Sequence, residues 1–75
     1  MKKYIIEYTT KVNGENIKLY HCGISINKNK ETMNRYVENL TTDIKLAIVF
    51  YDSEEANKIS LMFFSDIHIP KIITL

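Results

Sequence analysis

Asn13-Gly14 constrains this 75-residue chain more than any other pair of neighbours. A two-residue type I′ turn needs positive φ at both central positions, which Asn and Gly adopt at least cost, and its twist matches the strands that it joins. Residues 3–12 are rich in aromatic and β-branched side chains, and a second run of strand-like sequence covers about 16–26. With Asn13 and Gly14 as the loop, Val12 faces Glu15, Thr10 faces Ile17, Tyr8 faces Leu19 and Ile6 faces His21. Alternation then places Tyr4, Ile6, Tyr8, Ile17, Leu19 and His21 on one face, with Ile5, Glu7, Lys18, Tyr20, Cys22 and Ile24 on the other. The first set is the more apolar and is expected to face the core. Gly23 interrupts the pattern and marks an expected bulge or close approach.

A second strong signal lies at 45–58, KLAIVFYDSEEANK. Leu46 to Tyr51 are uncharged and mostly apolar, which suits a central strand, over about 44–51, covered on both faces. Asp52 stands at an N-cap position with Glu55 three residues on, and Glu54 and Glu55 put negative charge at the positive end of the helix dipole. A helix over about 53–63 is expected, with Ala56, Ile59, Ser60 and Phe63 inward. Between hairpin and strand, Met33, Tyr36, Val37 and Leu40 fall at i, i+3, i+4 and i+7, which predicts another helix over about 30–40. A last strand is expected over about 67–75. Pro70 within it cannot donate to a ladder, so that strand is at an edge, bulged or split. The expected fold is a single α+β domain over residues 1–75. Its order is strand-strand-helix-strand-helix-strand in a small mixed sheet, with the final strand-helix-strand unit parallel and right-handed if both strands share that sheet.

A chain this short builds a thin core and commonly needs a disulfide, a metal or a partner chain. Cys22 is the only cysteine, so no disulfide forms within the chain, and Cys22, His21 and His68 are too few to argue for a structural zinc. A partner is the expected supplement, either a homodimer or a different protein. The lone thiol and the lack of a signal-peptide pattern point to a reducing cytoplasm. No apolar run reaches membrane-spanning length. Net charge is +1, which matches neither the basic excess of a nucleic-acid binder nor the acidic excess of a DNA mimic.

The residues that could carry chemistry have plain structural readings beside them. His21 and Cys22 are adjacent in a strand and point to opposite faces, so a dyad would need His68 to reach Cys22. Asp43, Asp52, Asp66, Glu54 and Glu55 could gather carboxylates, yet helix capping and turn formation account for them. Neither a catalytic residue nor a metal or cofactor site is expected. Lys28, Lys30 and Arg35 at the start of the expected first helix form a modest basic patch, the basis of an alternative reading as a nucleic-acid-binding accessory protein. Tyrosine suits interfaces, because its ring gives area and its hydroxyl tolerates water. Ile5, Tyr20, Cys22 and Ile24, on the hairpin face turned from the core, are the expected protein-binding surface.

Twelve Ile, nine Lys and seven Asn against one Arg, one Pro and no Trp reflect an AT-rich coding bias. In length, in this usage and in the opening MKKYIIEY, the chain resembles small orphan proteins of phages and mobile elements in low-GC Gram-positive bacteria. That resemblance implies a non-enzymatic binder of a host or phage protein, of the anti-CRISPR or anti-defence kind, in the cytoplasm of a bacterial or infected cell. Near-neutral charge departs from inhibitors that imitate DNA, so inhibition would work through shape and apolar contact.

Overall fold

The computed structural model describes residues 1–27, 35–63 and 69–75. Four strands form one sheet: β1 (Tyr4–Val12), β2 (Glu15–Asn27), β3 (Arg35–Thr41) and β4 (Pro70–Thr74). Their spatial order is β3-β2-β1-β4, and every pairing is antiparallel. Among the described residues one α-helix, α1 (Ser53–Met62), packs on β1 and β4 across a single face of the sheet. No described helix is long and apolar enough to cross a membrane.

The turn forms as its sequence requires, with φ of 53° at Asn13 and 81° at Gly14. It fixes the β1–β2 register: Val12 opposite Glu15, Thr10 opposite Ile17 and Tyr8 opposite Leu19. The ladder ends at Glu7 opposite Tyr20, so the expected Ile6–His21 pair does not belong to it. Helix α1 also starts where the cap residue places it, with the Asp52 carboxylate accepting from the Glu54 backbone N–H at 3.0 Å. Its inward face is small: Ala56 and Ser60 are buried, with Ile59 and Phe63 partly so. Short side chains there let the helix lie close on Ile6, Tyr8 and Ile72, and Phe50 completes that cluster.

Two expectations are corrected. Residues 35–41, read as the end of a first helix, are the edge strand β3. Tyr36, Val37 and Leu40 match a helical stripe by spacing, but Tyr36, Glu38 and Leu40 also match a strand face, and pairing with β2 decides for the strand. Met33, the other member of that stripe, lies outside the described residues. Residues 44–51, read as a central strand, hold a short 3-10 turn (Ile44–Leu46) capped by Asp43, then extended chain. Only Ala47 and Phe50 of this segment are buried. The sheet is consequently antiparallel rather than mixed, and among the described residues it contains no parallel strand-helix-strand unit. Pro70 opens β4 at the sheet edge, where its missing N–H costs no ladder bond.

The 44–51 segment leaves the apolar layer because the sheet forks. After Tyr20, β2 diverges from β1, and the backbone of 48–50 enters the gap. The Ile48 N–H donates to the His21 carbonyl at 2.9 Å, while Phe50 exchanges two 2.8 Å bonds with Tyr4. An apolar run can thus be spent on backbone pairing at a fork rather than on burial.

At Gly14 a Cβ would meet no atom within 4 Å, so the glycine is required by φ alone. Gly14→Ala is expected to lower stability by roughly 1 kcal/mol, the usual cost of the left-handed region for alanine. Urea unfolding checks this, and Asn13→Gly should change it by less.

Candidate functional site

Beyond the fork, β2 and β3 continue together as a two-stranded arm. A bulge marks its root: His21 faces Leu40 and Gly23 faces Asn39, so Cys22 is the extra residue. Gly23 takes φ of 151° there, as its place in the sequence suggested. The bulge exchanges the two faces of β2. Before it, His21 shares the helix-covered face with Tyr8 and Leu19; after it, Ile24 and Ile26 join that face, opposite Glu38 and Tyr36.

A buried polar cluster sits at the arm's root. One oxygen of Glu38, Oε2, accepts the Tyr8 hydroxyl at 2.9 Å and lies 2.7 Å from His21 Nδ1. Tyr8 and His21 are each 1 % exposed, and the Glu38 side chain is 9 % exposed. With the carboxylate ionised, the short contact requires Nδ1 to carry the hydrogen, which fixes the imidazole tautomer. The His21 ring also packs at 5.9 Å from Phe50. Burial, with the Glu38 carboxylate beside it, pushes the Tyr8 phenol well above its ordinary range. These groups are largely buried, and they tie β1, β2 and β3 together.

The arm itself is apolar and open. Ile26 is 53 % exposed and its cross-strand partner Tyr36 is 59 % exposed; Val37, on the reverse face, is 45 % exposed. Along its outer side β3 pairs with nothing among the described residues. The radius of gyration, 13.4 Å, exceeds the roughly 11 Å of a compact chain of this length, as a projecting ribbon requires.

Of the expected protein-binding residues, Ile5 is 1 % exposed and contributes no surface. Glu7 and Lys18 share its face, but at Ile5 β1 is flanked by β4 on one side and by the backbone of 48–50 on the other. Ile24 is 37 % exposed, on the face opposite the one expected, because the bulge moves it. Tyr20 and Cys22 are partly exposed, Tyr20 on the expected side beside Glu7. The structure does not gather these four into one patch. Lys28 and Lys30 lie outside the described residues, and Arg35 begins a strand rather than a helix. His68 and Asp66 are also outside the described residues. Asp43 and Asp52 are engaged as caps. Among the described residues no three of His, Cys, Asp and Glu gather to hold a metal ion. A shallow cleft of about 320 Å³, lined by Ser53, Glu54, Asn57 and Ile72, lies between α1 and β4.

The sequence reading missed the Glu38 cluster and the apolar arm. Glu38 lay on the outer side of an expected helix, so its approach to Tyr8 and His21 depended on recognising β3. Comparison with known proteins finds no matching family model, no matching curated protein and no matching solved structure.

Glu38→Ala should cost about 3 kcal/mol by urea unfolding, since it strips the hydrogen-bond acceptor from two buried donors. Amide exchange at Ile24–Ile26 and Tyr36–Val37 should accelerate more than at the β1–β2 turn. The raised Tyr8 pKa also sets a direction: the phenol stays protonated when folded and ionises at about pH 10 when unfolded. Its contribution is present below pH about 10 and declines above it, by about 1.4 kcal/mol per pH unit up to the folded pKa. Tyr8→Phe should be less stable at neutral pH and should lose this part of the alkaline decline, read as the difference in unfolding free energy across pH 9–11.

Proposed function

We infer that the chain is a non-enzymatic protein-binding module that engages another polypeptide through the β2–β3 arm. The observation that carries this reading is the exposed Ile26–Tyr36 pair on a two-stranded ribbon whose outer edge is unpaired among the described residues. Two strands alone are marginal in water, and exposed apolar pairs on such a ribbon favour cover by another chain. The groups with chemical potential, His21, Tyr8 and Glu38, are instead buried and bonded to one another. A binding role leaves them the task of holding the arm.

A host or phage protein as target, and an inhibitory anti-defence role in the cytoplasm, are supported by the resemblance in composition and opening sequence and by the lone free thiol of Cys22. The near-neutral charge favours apolar contact over imitation of a nucleic acid. The alternative is nucleic-acid binding through Lys28, Lys30 and Arg35, of which Lys28 and Lys30 lie outside the described residues and Arg35 opens a strand.

Ile26→Lys and Tyr36→Lys are expected to abolish capture of partner proteins from host lysate while leaving far-UV circular dichroism unchanged. Val12→Lys at the far hairpin tip, also exposed, should have no effect. Capture that is indifferent to all three substitutions would overturn the reading.

A further inference from the structure

We propose that the arm's occupant is a second copy of this chain, paired antiparallel along β3 about a two-fold axis at Val37. This rests on the reading of the arm as a protein-binding element and names its partner. Exposed edges are normally blunted by proline, by charged side chains (lysine above all), by inward-pointing charges, by bulges or by a covering segment. The other edge, β4, carries Pro70 and Lys71 within five residues. β3 has seven residues with no proline and no lysine, its one basic residue being Arg35 at the first position, and the bulge at its root lies in β2. Its inward-pointing carboxylate, Glu38, is already bonded to Tyr8 and His21, so pairing along this edge buries no unpartnered charge.

An antiparallel edge is complementary to itself, because a two-fold rotation returns the same donors and acceptors in matching order. The side chains select the register. Centred on Val37, the pairing sets Val37 against Val37 of the second copy, Tyr36 against its Glu38, and Arg35 against its Asn39. A shift to Glu38 would set two carboxylates directly opposite, which is unfavourable. In the Val37 register, Tyr36 and Ile26 lie over one face of the junction and the two Val37 side chains over the other, so the added strand is covered on both sides. A net charge of +1 per copy offers little long-range repulsion. On the arm itself Ile24, Ile26, Tyr36 and Val37 are all exposed in the single chain.

The test is light scattering of the full chain over a wide concentration range, with Val37→Lys and, in a Cys22→Ser background, Val37→Cys. The expected result is a mass of twice 8.8 kDa for the native chain. Val37→Lys should weaken dimerisation at least about tenfold, with unchanged circular dichroism. Val37→Cys should form an intermolecular disulfide on mild oxidation. A native chain that stays monomeric overturns the proposal, as does a dimer that survives Val37→Lys and leaves Val37→Cys uncrosslinked. If the monomer still captures other proteins in an arm-dependent way, only the self-pairing fails. If arm-dependent capture is absent too, the binding reading fails with it.

Discussion

The Glu38 carboxylate is the contact on which the rest of the architecture depends. β1 and β3 are not neighbours in the sheet, yet Tyr8 on β1 and His21 on β2 both meet one oxygen of Glu38 on β3. A buried carboxylate is costly, and it is tolerated here because two hydrogen-bond donors converge on it. The arrangement is more a device for specificity than a source of net stability. A slip of β3 by one residue would turn Glu38 to the opposite face and leave both donors buried without their acceptor. Among roughly 4 to 11 kcal/mol of total stability for a chain of this length, that penalty is enough to exclude the slipped register.

The bulge at Cys22 and the fork beside it are consequences of the same requirement. Without the extra residue, Ile24 would share a face with Tyr20, and β3 would meet β2 in the opposite phase, with Glu38 turned from His21. Divergence of β2 from β1 then leaves backbone groups at Tyr4 and His21 that 48–50 satisfies. The segment is held by backbone bonds at both sides of the fork, which accounts for the exposure of Ile48, Val49 and Tyr51. The salt bridge between Lys18 and Glu7, at 3.9 Å on the opposite face, adds little beside these contacts.

What the sequence displayed was its local chemistry. Asn13-Gly14 determined a turn, three pair positions and the face of Tyr8, Leu19 and His21; Asp52 determined the start of the helix; Pro70 determined an edge. These features depend on residues within a few positions of one another. The identity of β3 does not, since its spacing satisfies two periods and only the approach of β2 separates them. The 44–51 segment failed for a related reason. Its apolar run reads as burial on two faces, but the decisive interactions are to His21 and Tyr4, more than 25 and 40 residues away. The candidate surface was legible only in kind. Apolar residues on the hairpin were recognised, but Ile5 is buried and Ile24 lies beyond a bulge that changes its face.

The buried cluster and the exposed arm are parts of one equilibrium. Glu38 lies between Tyr36 and Leu40 on its own face of β3, so ordering the strand from either side orders the other. A chain added along the open edge would hold the backbone that presents Glu38 to Tyr8 and His21. Reciprocally, the bonds to Tyr8 and His21 hold the edge in the extended form that a partner strand must meet. Binding and folding are therefore linked: a ligand of the native edge stabilises the domain in proportion to its concentration over its dissociation constant, and weakening the cluster raises the cost of binding. A small core that leaves much apolar surface outside gains most from such linkage. The cluster's position at the root of the arm, rather than at the centre of the helix-covered core, is what allows the two to act on each other.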